Sequence, residues 1–210
     1  MRVKKKKGGF LIAAGLLLIL AAIGLTGYNL WDDMRADEEV AAAVVQLQQR
    51  QTENLAQQSA PSEAIEEIPV YELNPNMEMP VETVGGWDYI GTVCFPERGR
   101  ELAVISDWSY PALKKAPCRY AGSAYSDDLI LAAHNYRSHF ACLKQLSIGE
   151  RITFVDVEGN EFHYEVVEVE VLDATDVQEM ESGIWDLTLF TCTTGGKARL
   201  TVRCEKIENL

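Results

Sequence analysis

The pattern of hydrophobic and polar positions begins with an uninterrupted apolar run near the start of the chain. Residues 10–31 carry no charged side chain and include the stretch FLIAAGLLLILAAIGL. As a helix rising 1.5 Å per residue, this run spans about 33 Å, which is enough to cross the hydrocarbon core of a bilayer. The pattern therefore predicts a transmembrane anchor at residues 10–31.

Charged residues flank the apolar run unequally and predict its orientation. The basic tail, residues 1–9, contains Lys4–Lys7, whereas Asp32 and Asp33 follow the run directly. Because basic flanks stay in the cytoplasm, we expect a single-pass protein of the cell membrane with a cytoplasmic N-terminus and an extracytoplasmic body. The alternative is a cleaved signal peptide, which also has a basic start and an apolar core, but no convincing A-x-A cleavage site follows. Both interpretations export the body of the protein.

Two polar segments separate this anchor from the rest of the chain. Residues 32–60 are rich in Ala, Gln and Glu and lack Gly and Pro, so they predict a helical stalk. Their apolar stripe is thin, which favours a spacer over a packed or self-pairing helix. Residues 61–84 hold four of the seven prolines and predict an extended linker that is not helical. The folded domain is then expected at residues 85–210.

Alternating apolar and polar positions predict that this domain is built mainly of strands. Glu150–Val157 and Glu161–Val171 flank Gly159-Asn160, which is a strong β-hairpin signal. The alternation slips in phase near Val166, and this slip predicts a β-bulge.

Other apolar segments complete the predicted sheet. Further strands are predicted at residues 128–133, 187–192 and 200–207. A short helix capped by Ser138 is predicted at residues 138–146, and a second one is predicted after Asp173. Many short strands with one or two short helices indicate a mainly β fold, a closed or nearly closed barrel.

Composition narrows the class of partner. The 210 residues include 19 Lys and Arg against 32 Asp and Glu, for a net charge of −13. The basic tail contributes +5, so the remainder carries −18, which argues against nucleic acid as a partner. The odd number of cysteines, five, leaves at least one thiol unpaired. Any disulfide among Cys94, Cys118, Cys142 and Cys204 is left open by the sequence.

One candidate for chemistry is the pair formed by Cys192 and Arg199. Cys192 ends an apolar strand, six residues form the turn, and Arg199 opens the returning strand. A hairpin of this size places the two residues side by side at one rim of a barrel. A guanidinium there favours the reactive thiolate and can bind an oxyanion. The alternatives are a buried, inert Cys and a solvated Arg at a strand edge.

Histidine supplies the second candidate. His134 ends the buried strand DLILAA, so it reaches the rim of the barrel, where it is well placed for proton transfer; a structural histidine is the alternative. We expect His139 and His163 to be surface residues.

These residues resemble a known family. TLFTC followed by Arg199-Leu200-Thr201-Val202 resembles the TLxTC…R signature of the sortases, which are membrane-anchored cysteine transpeptidases of Gram-positive bacteria. LILAAHN is similar to the sortase histidine segment, and WDYIGTVCFPERGRELAVI is similar to the opening strands of that family. The likeness covers residues 85–208 and implies a sortase-like closed β-barrel.

The resemblance also implies roles for individual residues. Cys192 matches the nucleophile, His134 the catalytic histidine and Arg199 the catalytic arginine. Family members cleave a C-terminal, LPxTG-like sorting signal of secreted proteins through a thioester acyl-enzyme. They transfer the acyl group to an amine of a cell-wall precursor or to a pilin lysine. Substrate-binding positions are expected at Ala132, Ala133 and Thr191.

Several points stay open at this stage. We expect no metal or organic cofactor, but modulation by calcium is left open, with four acidic candidates: Glu168, Glu170, Asp173 and Asp176. The sortase class is not assigned, and class B is the least favoured because the segment before the Cys strand is short. A thiol hydrolase acting on the same peptides and a non-catalytic, membrane-anchored binding module are the alternative functions.

Overall fold

The computed structural model describes residues 6–58, 69–182 and 184–208, in two compact units. Residues 1–35 form the first unit and residues 36–210 the second. Residues 1–5 of the predicted basic tail and residues 59–68, which include the start of the predicted linker, lie outside the described residues.

The first unit consists of the beginning of helix α1 (Lys6–Gln58). Within the described residues, one helical stretch, Gly9–Trp31, is long and apolar enough to cross a membrane. Its large apolar side chains are exposed, from Phe10 at 75% to Trp31 at 57%. Length and composition thus fit the predicted anchor at residues 10–31, although a signal sequence passes the same test.

The second unit is built on one mixed β-sheet, which contains both antiparallel and parallel strand pairs. Its strands in the described residues are β1 (Glu82–Val84), β2 (Trp87–Phe95), β3 (Arg100–Ile105), β4 (Cys118–Ala121), β5 (Leu129–Ala133), β6 (Arg151–Asp156), β7 (Glu161–Asp173), β8 (Leu187–Cys192) and β9 (Ala198–Lys206). Three single-turn helices are α2 (Val70–Leu73), α3 (Tyr110–Leu113) and α4 (Val177–Met180), and 3-10 turns lie at Pro96–Arg98 and Phe140–Gln145.

The sheet closes on itself. Its order is β1-β2-β3-β4-β5-β8-β9-β7-β6, and β2 also pairs with β6. Eight strands therefore form a closed ring, and β1 adds to the ring through β2. Apolar side chains from every strand of the ring fill the interior, including Val93, Leu131, Phe154 and Val202. The mainly β, closed-barrel prediction is confirmed.

Local signals in the sequence specify the β6–β7 hairpin and its distortion. The strands pair antiparallel with Phe154 opposite Phe162, across a turn in which Gly159 has a φ of 93°. That left-handed conformation favours glycine. Between Val166 and Glu168 the register of β7 against β9 shifts. Both the hairpin and the bulge were expected from the sequence.

The predicted stalk differs from the structure, because residues 40–51 pack on the barrel. Val40, Ala43 and Leu47 belong to the hydrophobic core, and Leu47 is 1% exposed. The Gln51 side-chain amide donates to the Asp156 backbone oxygen at 2.7 Å, and the Gln48 amide donates to Glu101 at 2.8 Å. The buried face of this helix includes the small residue Ala43 and the polar residue Gln51, so a count of large hydrophobic positions underestimates how much of the helix is buried. The compact unit accordingly begins at Ala36, not Gly85.

The described residues of the predicted linker include a helix and a strand. Residues 70–73 form helix α2, preceded by Pro69, and Glu82–Val84 form strand β1. A proline ahead of a first turn is compatible with a helix because its missing N–H has no intrahelical partner there. The Tyr71 ring stacks on Tyr125 at 4.7 Å between centroids, which attaches this segment to the barrel.

The helix predicted at residues 138–146 is a shorter 3-10 turn at Phe140–Gln145. Its N-cap residue is His139, which makes no side-chain capping bond, so the expected cap by Ser138 is wrong. Ser138 is instead 2% exposed. The second predicted short helix is present as α4.

Candidate functional site

Three neighbouring strands build one end of the barrel. β5 and β8 are parallel, and Ala133 pairs with Thr191 in their register. β8 and β9 are antiparallel, and Cys192 pairs with Arg199. His134 and Cys192 each directly follow the Ala133–Thr191 pair. The register therefore sets His134, Cys192 and Arg199 in one row across the rim, and all three line the same cleft.

The β8–β9 turn explains why Cys192 and Arg199 are adjacent. The Thr193 backbone N–H donates to the Ala198 oxygen at 2.9 Å, and the Gly196 N–H donates to the Thr193 oxygen at 2.8 Å. Gly195 and Gly196 have φ values of 91° and 72°, which an L side chain rarely adopts. The two glycines thus allow the chain to reverse within the six residues that separate the pair.

A buried hydrogen bond ties the histidine strand to the cysteine strand. The Thr191 hydroxyl, 1% exposed, donates to the Ala133 backbone oxygen at 2.8 Å. This bond lies directly before His134 and Cys192 in the two strands. Ala132, Ala133 and Thr191, predicted to bind substrate, all line the cleft.

The imidazole of His134 packs beside an aromatic ring. Its imidazole lies 4.8 Å from the Tyr136 ring between centroids, and Tyr136 lies 5.3 Å from His139. The Phe140 N–H donates to the His134 oxygen at 3.1 Å, so the chain folds back directly after the histidine. This reversal buries His139 completely, and the expectation that it is a surface residue is wrong. His163 is part-buried on β7, where its Nδ1 lies 3.1 Å from the Thr153 hydroxyl.

Arg199 interacts with its own turn and with an acidic neighbour. Its Nη1 donates to the backbone oxygens of Gly196 and Ala198, each at 3.3 Å. The pKa of Asp173 is lowered, first by hydrogen bonds from the Thr175 backbone and hydroxyl and also by the charge of Arg199. A carboxylate thus accompanies the guanidinium at this rim.

The cleft lies between two short helical segments. One wall is formed by Trp108, in the loop before α3, and by Tyr110 and Leu113 of α3. A second wall comes from the end of β7 and from α4, with five residues: Asp173, Ala174, Asp176, Val177 and Met180. Tyr120 and Phe190 lie between the walls, 5.3 Å apart in an edge-on contact. The lining therefore combines aromatic and aliphatic side chains with the carboxylates of Asp173 and Asp176.

The sequence pattern did not identify the aromatic wall. Trp108 packs at 6.0 Å from Tyr110 and at 5.8 Å from Tyr120, although Tyr110 is 75% exposed. The segment DWSYP carries turn signals and no hydrophobic periodicity. In the sequence, only its two aromatic residues distinguish it from an ordinary turn.

The other four cysteines lie in environments that oppose ionisation. Burial raises the pKa of the Cys118 thiol to about 12 and also raises that of Cys204. The pKa values of Cys94 and Cys142 are raised as well, chiefly by burial. All five cysteines are thiols in this structure. None of these four lines the cleft, whereas Cys192 does.

The structure describes residues 6–58, 69–182 and 184–208. Those residues contain no group of three or more His, Cys, Asp or Glu side chains placed to hold an ion. Of the four acidic candidates, Glu170 accepts a hydrogen bond from Arg203 at 2.8 Å, and Asp173 accepts from the Thr175 hydroxyl at 2.7 Å.

A closed barrel with Cys, His and Arg at one rim has the groups that a thiol-dependent acyl transfer requires. The sequence profile of the Sortase domain matches residues 94–207, more than half of the chain. The chain belongs to the sortase family, as the sequence motifs predicted. No curated protein matches it.

Solved structures support this assignment. Sortase C1 of Streptococcus suis has 26% identity and a TM-score of 0.51, covering 58% of this chain and 74% of that chain. A sortase D5 transpeptidase of Clostridium perfringens has 21% identity and a TM-score of 0.52, covering 60% and 83%. Sortase C of C. perfringens, solved with its C-terminal cell wall sorting motif, has 21% identity and a TM-score of 0.52, covering 82% and 91%. The fold and the family are those of a sortase-type transpeptidase.

Proposed function

We propose that this chain cleaves secreted proteins at a C-terminal, LPxTG-like sorting signal and joins the new carboxyl end to an amine. The observation that carries the proposal is the strand register, which aligns His134, Cys192 and Arg199 along one rim of a cleft. The structure of C. perfringens sortase C with the C-terminal cell wall sorting motif supports a substrate of this kind. The amine belongs to a cell-wall precursor or to a pilin lysine.

The first half-reaction forms a thioester. The Cys192 thiolate attacks the Thr carbonyl carbon of the motif, and Arg199 binds the substrate and the oxyanion that develops. The C–N bond between Thr and Gly then breaks, and His134 as imidazolium gives its proton to the departing Gly amine. Thr remains bound to Sγ as an acyl-enzyme.

The second half-reaction resolves the thioester. The neutral imidazole of His134 takes a proton from the incoming amine as that amine attacks the thioester carbonyl. A new amide bond forms, the C–S bond breaks, and Cys192 leaves as thiolate. These steps use side chains alone, and we propose that neither a metal nor an organic cofactor takes part.

Mass spectrometry of the acyl-enzyme tests the proposal. With a sorting-signal peptide, a mass increase equal to the N-terminal product is expected on Cys192 in the wild type and absent in Cys192→Ala. Cys142→Ala, which removes a partly buried thiol outside the cleft, is the matched control and retains the adduct. His134→Ala is expected to lower kcat/KM by about 10² to 10⁴-fold.

The same assay separates the alternatives. Cleavage that persists under saturating amine without an amine-linked product would identify a thiol hydrolase. A binding module would give neither cleavage nor adduct, and its Cys192 would fail to react with a small thiol reagent at neutral pH. Added calcium or a chelator is expected to change kcat/KM less than about twofold. A larger effect would revive the four acidic candidates.

We further propose that residues 10–31 anchor the protein with its catalytic domain outside the cell membrane. The apolar length of Gly9–Trp31 and the basic tail support this topology. External protease added to intact protoplasts is expected to remove the domain and leave a short membrane-bound peptide. A mature protein whose mass lacks the anchor would indicate a cleaved signal peptide.

A further inference from the structure

Arg203 is a charged residue that the barrel and α4 enclose almost completely. It lies on β9 between the core residues Val202 and Cys204, with its side chain on the opposite face, and is 1% exposed. Alternation along β9 predicts that Thr201 and Arg203 face solvent. They do lie on the outer face, but both are buried there. Burying a guanidinium is costly unless its donors are satisfied.

Four hydrogen bonds satisfy the Arg203 guanidinium. Nε donates to Glu170 Oε1 at 2.8 Å, and Nη1 donates to the Thr188 hydroxyl at 3.1 Å. These acceptors belong to β7 and β8, on either side of β9 in the sheet. Nη1 also donates to the Met180 backbone oxygen at 3.0 Å, and Nη2 donates to that of Glu179 at 2.6 Å. One side chain thus connects the wall of the barrel to α4.

The two backbone acceptors lie at the end of α4. Carbonyl groups in the last turn of a helix lack the i+4 donor that interior carbonyls have, and α4 has only four residues. The Glu179 oxygen also accepts from the Ser182 hydroxyl at 2.9 Å, whereas Arg203 is the side-chain donor to the Met180 oxygen. A helix of one turn does not hold its own conformation in water. Arg203 supplies donors to these carbonyls, so it fixes the position of a segment that would otherwise have little intrinsic stability.

The segment that Arg203 holds is a wall of the catalytic cleft. Val177 and Met180 of α4 line that cleft together with Cys192. Tyr120 also lines the cleft, and burial followed by the charge of the Glu181 carboxylate, just beyond α4, raises the pKa of Tyr120. Arg203 therefore holds this wall of the cleft through two hydrogen bonds to the backbone of α4.

We infer that Arg203 is a positioning residue, which keeps α4 in the place where a sorting-signal peptide binds. Its effect on catalysis rests on the proposed function, whereas its effect on the conformation of α4 does not. Lysine does not substitute fully, because a single ammonium group lacks the planar set of donors that reaches four acceptors on three elements.

Three variants test this inference. Arg203→Met removes the donors, Arg203→Lys keeps the charge, and Arg98→Met is the matched control. Arg98 also donates to a carboxylate, Glu150 at 2.7 Å, and to the Gln145 backbone oxygen, but neither partner lines the cleft. A generic loss of stability therefore affects both methionine variants, whereas a displaced α4 affects only the variants of Arg203.

Two readouts separate positioning from simple destabilisation. Under native conditions, a Glu-specific protease is expected to cut after Glu179 and Glu181 about tenfold faster in Arg203→Met than in the wild type. For a sorting-signal peptide, KM rises and kcat/KM falls by about tenfold in Arg203→Met, with a smaller loss in Arg203→Lys. The reaction of Cys192 with a small neutral thiol reagent stays within about twofold, because that reagent does not need the wall.

The opposite results would overturn the inference. Unchanged cleavage after Glu179 and Glu181 in Arg203→Met refutes the anchoring role, as does an equal loss of kcat/KM in Arg98→Met. If Arg203→Met does not fold, Arg203→Lys answers the same questions. If the wild type cleaves no sorting-signal peptide, the proposed function fails, yet the protease measurement still decides whether Arg203 holds α4.

Discussion

Replacing Leu47 by alanine tests whether the helical residues 36–53 belong to the folded catalytic unit. Leu47 is 1% exposed and lies in the hydrophobic core with Val40 and Ala43. Leu-to-Ala substitutions at buried sites cost about 2–5 kcal/mol of unfolding free energy. Leu47 lies on a helix at the surface of the barrel, where neighbours can relax into the space, so we expect about 2–3 kcal/mol. For a domain of this size, that loss lowers Tm by about 5–10 °C.

Urea unfolding of residues 36–210, which lack the apolar anchor, measures this effect. Val45→Ala is the matched control, because Val45 lies on the same helix and is 53% exposed. Its loss is expected to stay within about 0.5 kcal/mol. Equal free energies of unfolding for the two variants would show that the helix is a spacer in solution and that its packing on the barrel is wrong.

Three further predictions concern the barrel and the cleft. Gly91→Ala is expected to prevent stable folding, seen as loss of a cooperative thermal transition, because its Cβ would collide with a backbone oxygen of β6. Thr191→Val removes the hydroxyl that donates to Ala133 and should lower the urea-derived stability by about 1 kcal/mol; no change would remove this bond from the account of the site. Hydrogen bonds from Thr175 hold the folded-state pKa of Asp173 below its ordinary 3.8. The stabilisation that the Asp173 carboxylate contributes is therefore present above about pH 4 and is lost as the pH falls further. Asp173→Asn should flatten the acid-unfolding curve in that range, whereas an unchanged curve contradicts the assignment.

The parts of the fold that were predictable have local signals. The Gly159-Asn160 turn and the phase slip at Val166 each lie within a few residues of the feature they specify. The helix at residues 36–53 was predictable as a helix but not as a packed one. Its buried stripe includes Ala43 and Gln51, and Gln51 is held by a hydrogen bond to a residue 105 positions away. No local pattern encodes such a partner.

The candidate site likewise has one part that local sequence signals predict and another that they do not. The pairing of Cys192 with Arg199 follows from a short hairpin, so the spacing alone predicts it. His134 joins them through the parallel pairing of β5 and β8, which brings together residues 58 positions apart. Only the family motifs indicated that pairing. Alternation assigned Arg203 to the correct face, but it gave no sign that α4 covers that face.

The position of β9 in the sheet determines when, during synthesis, the barrel can close. Although β9 is the last of the ring strands along the chain, it lies between β7 and β8. During synthesis, those two strands therefore have a gap between them until the final strand emerges and fills it. That strand carries Arg199 at one end and Arg203 further along, so the proposed oxyanion-binding residue and the inferred support for α4 join the fold in the same step.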